Sequence, residues 1–195
     1  MRITESYLPI NEYSRPGTYL KKVNGIILHW VGKPMQAARS VRLFFEVDCP
    51  FNKHYSSTHY IIDFTGEVLK IVPENEIAYH CGSNKIDPLS NKIYTDWARK
   101  KFGIYADDPI NKSPNQVTLG IELCTIDNDG NFRDSTIESA IDLSANLLKR
   151  FNLTVDNLGT HNMVVGWKDC PKLWTKKPNL FEAFKEDVNR RLLNG

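Results

Sequence analysis

The sequence is short of cysteine, of long apolar runs and of surplus charge, and each shortage excludes something. Four cysteines, Cys49, Cys81, Cys124 and Cys170, are scattered through 195 residues, too few for a disulfide-built secreted scaffold. No apolar stretch approaches the ~20 residues a membrane helix needs, and mean hydropathy is −0.40, so no membrane span is expected. Lys and Arg number 25 against 23 Asp and Glu; without a basic excess, nucleic acid is not an expected partner. The opening Met-Arg-Ile-Thr-Glu-Ser puts Glu5 where a secretion signal needs an apolar core. No signal peptide is therefore expected, and synthesis in a reducing cytoplasm is. No repeat or low-complexity tract appears. What is present, 41% hydrophobic and 25% charged residues, is an ordinary globular balance. The length suits one domain over residues 1–195, expected to be a monomer, with a polar, turn-rich arm over 1–22 packed on it.

Periodicity divides the rest. Gly25-Ile-Ile-Leu-His-Trp-Val-Gly32 is an apolar run bounded by glycines, the pattern of a buried strand. After Pro34, the positions Ala37, Ala38, Val41, Phe44 and Phe45 fall near helical spacing, predicting a helix that starts close to the proline. Ser57–Phe64 and Glu67–Val72 flank Thr65-Gly66 and read as a hairpin. Thr118–Thr125 predicts another strand. From Ser135 the period changes to that of a long helix ending at Lys149-Arg150, and a last helix is predicted from about Pro178 to Leu193. Lys85–Pro114 is polar and irregular apart from a short helix near 95–102; such a segment shapes a binding site or is simply mobile. The fold class expected is α/β, a mixed central β-sheet flanked by helices.

Two histidines and a cysteine invite a metal. His29 interrupts an apolar strand, so its ring faces the core or a cleft at the strand end; alone, a core histidine bonded to backbone is the simpler reading. His161 and Cys170 stand nine positions apart in a Gly- and Pro-containing stretch. Imidazole nitrogen and thiolate sulfur are preferred zinc donors, and three of them leave a fourth tetrahedral position open for catalysis. Spacing does not settle which cysteine joins which histidine, and Asp169 competes with Cys170 for the role. A zinc hydrolase also needs a base and a cation for the developing oxyanion. Glu122, inside Leu-Gly-Ile-Glu-Leu, is either such a base or half of a structural ion pair. Lys168 reaches the same cleft or is a solvated charge.

In order, Ile-Leu-His-Trp (27–30), Ser-Thr-His-Tyr-Ile-Ile-Asp (57–63), Ala-Tyr-His-Cys-Gly (78–82), Leu-Gly-Ile-Glu-Leu (119–123) and Lys-Asp-Cys-Pro (168–171) resemble the motifs of N-acetylmuramoyl-L-alanine amidases. These are the zinc amidases of phage endolysins and bacterial autolysins, related to amidase-type phage lysozymes and peptidoglycan recognition proteins. The likeness extends over roughly residues 8–190. It implies an amidase/peptidoglycan-recognition-protein-like fold, Zn2+ as cofactor, bacterial peptidoglycan as partner, and cleavage between N-acetylmuramic acid and L-alanine. By position it implies His29, His161 and Cys170 as metal ligands, Glu122 as the residue handling the proton of the attacking water, and Lys168 as a support for the oxyanion. Trp30 and His80 fall on the substrate side, with a structural imidazole as the competing reading of His80. His59 is left structural and His54 solvated.

The chain departs from the pattern in two places. Where some relatives carry a catalytic tyrosine it has Thr58, which shifts the burden to Glu122. Cys81 replaces a commoner small residue and reads as buried filler. Two alternatives stand beside the endolysin or autolysin reading: a non-catalytic peptidoglycan receptor on the same fold, and a cytosolic amidase recycling soluble muropeptides. An enzyme made in the cytoplasm and acting on the wall after release fits the expected lack of a leader.

Overall fold

The computed structural model describes residues 2–104 and 112–194. Among these residues, six strands form one sheet: β1 (Ile3–Glu5), β2 (Gly25–Trp30), β3 (Tyr60–Ile62), β4 (Val68–Lys70), β5 (Thr118–Leu123) and β6 (Leu158–Thr160). Their order across the sheet is β1-β4-β3-β5-β2-β6. Only the β3–β4 pair is antiparallel; the other pairings are parallel. This is the mixed α/β sheet expected, and the hairpin turns at Gly66, whose φ of +86° a side chain would strain.

Strand β2 reads as a continuous apolar run because both sheet faces are covered. On one face Ile26 and Leu28 pack with Leu119, Ile121 and Leu123 of β5. Against them lie α4 (Asp134–Arg150), α6 (Lys172–Lys176) and α7 (Pro178–Asn194), the last through Phe181, Phe184 and Val188. On the other face Ile27 packs with Phe102, Val164 and Val165, from α3 (Asp96–Phe102) and α5 (His161–Val165). Ile61 and Leu69 pack on that same face with Val41 and Phe45. Alternation along β2 and β5 therefore sends His29, Gly120 and Glu122 to the face carrying α3 and α5.

Several elements differ from expectation. The N-terminal arm is more than drapery: its first residues form β1, and Ser6 and Leu8 continue the ladder by donating to the carbonyls of Lys70 and Ile71. Arg15 pairs bidentately with Glu76 at 2.8 Å to pin the arm. Helix α1 (Ala38–Leu43) starts four residues beyond Pro34, where the carboxylate of Asp63 accepts the Ala38 N–H at 2.7 Å. It then widens into a π-helical turn, Phe44–Asp48, before the short α2 (Cys49–Phe51). Pro50 has no N–H to return to Glu46, and the changed winding leaves Phe44 41% exposed while Phe45 is buried. Strand β6 and helices α5 and α6 had no counterpart in the periodicity. Part of the Lys85–Pro114 segment, residues 105–111, lies outside the described residues; the helix within it is α3, capped by Thr95 and stopped by Gly103 in the left-handed conformation. Among the described residues no helix is long and apolar enough to cross a membrane.

Candidate functional site

The chemistry-bearing residues gather where the parallel strands β2, β5 and β6 end at their carboxyl side, the usual place for a site in such sheets. Strands β2 and β5 run in register, so His29 lies opposite Glu122. Strand β6 pairs with the other edge of β2 and delivers the chain through Thr160 into α5. The Thr160 side chain accepts the Met163 N–H and caps that helix, which makes His161 its first residue and turns its ring toward His29. The segment after α5 returns through a cis Cys170–Pro171 bond.

Three donors converge: His29 Nδ1, His161 Nδ1 and Cys170 Sγ lie within 4.8 Å of one another, all on buried residues. The two nitrogens are 3.1 Å apart, and Sγ is 3.7 Å from His29 Nδ1. Tetrahedral zinc with ordinary bond lengths spaces nitrogen pairs about 3.3 Å apart and nitrogen–sulfur pairs about 3.6 Å apart. The donor set fits zinc in identity, and the two spacings that involve His29 fit it as well; the third pair, His161 and Cys170, is held only within 4.8 Å. At 169–170 the geometry favours the thiol: Asp169 is exposed, whereas Cys170 is buried against the histidines. Cys49, Cys81 and Cys124 are free and buried.

Burial governs the electrostatics. It holds His29 well below the usual imidazole range, with the neighbouring His161 and His80 adding to the effect. It takes His161 down to about 3, helped by the charge of Lys168. Both imidazoles are therefore neutral, the form that binds a metal. The Cys170 thiol is raised by burial and by the Glu122 charge. Burial also pushes the Glu122 carboxyl up to about 8, with Lys168 opposing. One Glu122 oxygen is buried with no hydrogen-bond partner among the described residues. A dication on the adjacent donors would supply the missing counter-charge and favour the carboxylate.

Two clefts open beside the donors. One, about 530 Å³, is lined by Trp30, Lys33, Phe44, Asp48 and Glu122 among others. The second, about 390 Å³, includes Tyr55, Tyr79, His80, His161 and Lys168. Ser56 lines both. Trp30 is held by the turn at Gly130, where even a Cβ would stand 3.0 Å from its ring. His54 is exposed, as expected. His59 is buried: its Nδ1 accepts the Gly120 N–H at 3.0 Å and its Nε2 donates to the Glu76 carbonyl at 2.9 Å.

The structure also brings in residues that the motifs did not single out. The Asn115 side-chain oxygen accepts three consecutive backbone N–H groups, of His80, Cys81 and Gly82, at 3.2, 2.9 and 3.1 Å. Thr118 meets His80 Nε2 with its carbonyl and its hydroxyl. Gly120 leaves room for His80, since a Cβ there would lie 2.6 Å from the ring. A glycine inside an apolar strand is the one signal that could have pointed there, because it marks a close approach.

The family model described as N-acetylmuramoyl-L-alanine amidase, Amidase_2, matches residues 19–173. The chain belongs to this family. The matched span encloses the donor set together with Trp30, His80, Glu122 and Lys168. The chain is 30% identical over 192 residues to a probable N-acetylmuramoyl-L-alanine amidase of Bacillus licheniformis, a span covering 98% of this chain and 48% of that protein. It is likewise 30% identical over 190 residues to the N-acetylmuramoyl-L-alanine amidase BlyA of Bacillus subtilis (strain 168), covering 97% of this chain and 47% of that one. The chain thus spans about half the length of the curated amidases it matches. The solution structure of the PlyG catalytic domain superposes with a TM-score of 0.69 at 19% identity, covering 98% of this chain and 96% of that one. That likeness is one of fold.

Proposed function

We propose that the chain is a zinc-dependent amide hydrolase that cuts bacterial peptidoglycan between the lactyl carbonyl of N-acetylmuramic acid and the amino group of L-alanine. The observation that carries this reading is the convergence of two imidazole nitrogens and one thiol within 4.8 Å, with Glu122 in register beside them. A structural zinc site is closed by four protein ligands, whereas three leave room for substrate. His29, His161 and Cys170 would hold the ion, which when bound supplies Lewis-acid polarisation of the scissile carbonyl and acidifies a water.

The chain's own groups do the rest. Glu122 takes a proton from the attacking water as its oxygen bonds to the carbonyl carbon. It returns that proton to the amide nitrogen as the C–N bond breaks, leaving a carboxylic acid and a free amine. Lys168 places a positive charge near the oxygen that becomes negative in between. Trp30 and the mixed cleft beside Glu122 position one arm of the substrate. The working unit in this reading is one domain over 1–195, a monomer made in the cytoplasm that meets the wall after release, as an endolysin or autolysin does.

Zinc content, clearing of purified cell walls and release of new amino termini test the proposal together. Cys170→Ser loses both zinc and clearing; Glu122→Ala keeps zinc and loses clearing. Mass spectrometry of the digest shows free lactyl carboxylates and stem peptides beginning with L-alanine. Full activity in Glu122→Ala, or a digest cut at another bond, would refute it.

A further inference from the structure

Both ring nitrogens of His80 are engaged inside the protein. Nε2 faces the Thr118 carbonyl at 3.3 Å and the Thr118 hydroxyl oxygen at 3.2 Å. A carbonyl only accepts, and the Thr118 hydroxyl already donates its hydrogen to the Pro114 carbonyl at 2.7 Å. Both Thr118 oxygens are therefore acceptors. The remaining neighbour of Nε2, the Cys81 thiol at 3.8 Å, lies closer to the Thr118 hydroxyl oxygen at 3.6 Å and can donate its hydrogen there, so the ring hydrogen of His80 sits on Nε2. A neutral imidazole has one such hydrogen, so Nδ1 of His80 is a bare acceptor, 3.0 Å from His29 Nε2. His29 must donate there, which leaves its Nδ1 without hydrogen at the point where His161 Nδ1 and Cys170 Sγ converge.

The scaffold around His80 is built to hold this orientation. Asn115 fixes the backbone of residues 80–82 with its three accepted N–H groups. Gly120 lets the ring lie against β5: a Cβ would stand 2.6 Å from His80 Cγ and 2.8 Å from Nδ1. The ring is buried and meets His29 edge-on, at 86° between planes.

We propose that His80 is a positioning residue, not a substrate contact: the chain Thr118–His80–His29 locks His29 as the Nε2–H tautomer and aims its Nδ1 lone pair at the metal. The proposal rests on His29 being a metal ligand. It follows the general pattern in which a metal-binding imidazole donates its other N–H to a fixed acceptor, and loss of that acceptor weakens metal binding.

The test measures zinc affinity by competition with a chromophoric chelator in the wild-type chain, His80→Ala and His80→Asn, beside nitrogen-15 ring spectra of the wild type. Wild type should take up one zinc, and His80→Ala should bind it about 10- to 100-fold more weakly. His80→Asn, whose amide oxygen can replace the lost acceptor, should recover part of the difference. The spectra should place the His29 hydrogen on Nε2 both with and without metal. If wild type takes up no zinc, the ligand reading itself falls and takes this proposal with it. If wild type binds zinc and His80→Ala binds it equally well while KM for wall fragments rises, His80 is a substrate contact and only this proposal falls. Should His80→Ala not fold, the wild-type spectra decide, and a hydrogen found on His29 Nδ1 overturns the proposal.

Discussion

The packing of Gly120 against His80 yields a sharp test, because one added methyl group should move both stability and metal binding. In Gly120→Ala the new Cβ would lie 2.6 Å from His80 Cγ, 2.8 Å from Nδ1 and 2.9 Å from the Thr58 hydroxyl. These neighbours belong to a ring and a buried hydroxyl, so neither yields as a flexible side chain would. Overpacking of this kind costs about 1–3 kcal/mol. Alanine recovers about 0.4–1 kcal/mol by restricting the unfolded chain, for a net loss of about 0–2.6 kcal/mol. Displacing His80 also removes the acceptor for His29 Nε2, and zinc affinity should fall about 10- to 100-fold.

Stability is best read by urea unfolding with chelator present, since bound zinc would add its own contribution. Affinity is read by chelator competition. Gly25→Ala supplies the control: its Cβ would stand 2.3 Å from the Phe102 ring, at the far end of β2 from the donors. It should destabilise comparably yet leave zinc affinity unchanged. Equal affinity in Gly120→Ala and wild type would refute the link between this glycine and the metal. An equal affinity loss in Gly25→Ala would show that general loosening, not His80, is responsible.

Three further outcomes are expected. Lys168→Ala should slow wall hydrolysis about 10- to 100-fold with zinc retained; a preorganised donor is worth more, but Lys168 is exposed and its charge is screened. Unchanged kcat would remove it from the oxyanion role. Burial lowers His59 to about 4, below the ~6.5 of an unfolded imidazole, so between those values the unfolded chain binds the extra proton. Stability from this residue is thus complete above about pH 6.5 and lost as pH falls toward 4, about 3 kcal/mol in all. NMR should show a neutral His59 ring at pH 5.5, and a midpoint near 6.5 would contradict its burial. Asp169→Asn should bind zinc as wild type does, by chelator competition, because that carboxylate points to solvent; a tenfold loss would reopen the choice of third ligand.

The parts of this molecule that were readable in one dimension are those whose periodicity is long or whose chemistry is rare. Helices α4 and α7 announce themselves over 17 residues each, and β2 and β5 by apolar runs that need cover on both faces. Strand β6 and helix α5 are three and five residues long, too short for any period. They exist because Gly159 admits the Trp97 ring, which a Cβ would meet at 2.2 Å, and because the Thr160 side chain caps α5. Phe44 misled because a π-helical turn changes the winding just where an α-helical count would bury it. The same division runs through the site. His29, Glu122, Lys168 and Cys170 carry chemistry in their own side chains, so ordered motifs expose them, and His161 shows through its spacing from Cys170. Asn115, Thr118 and Gly120 act through a side-chain oxygen turned to backbone, a carbonyl and a missing Cβ. Such contributions leave little mark in composition or spacing, because many residue contexts hold an asparagine, a threonine or a glycine. Residues that aim a reactive group are accordingly harder to read than those that bear it, and His80 belongs to both descriptions. Its imidazole made it a candidate for touching substrate; the atoms around its two nitrogens support the proposed role of holding His29.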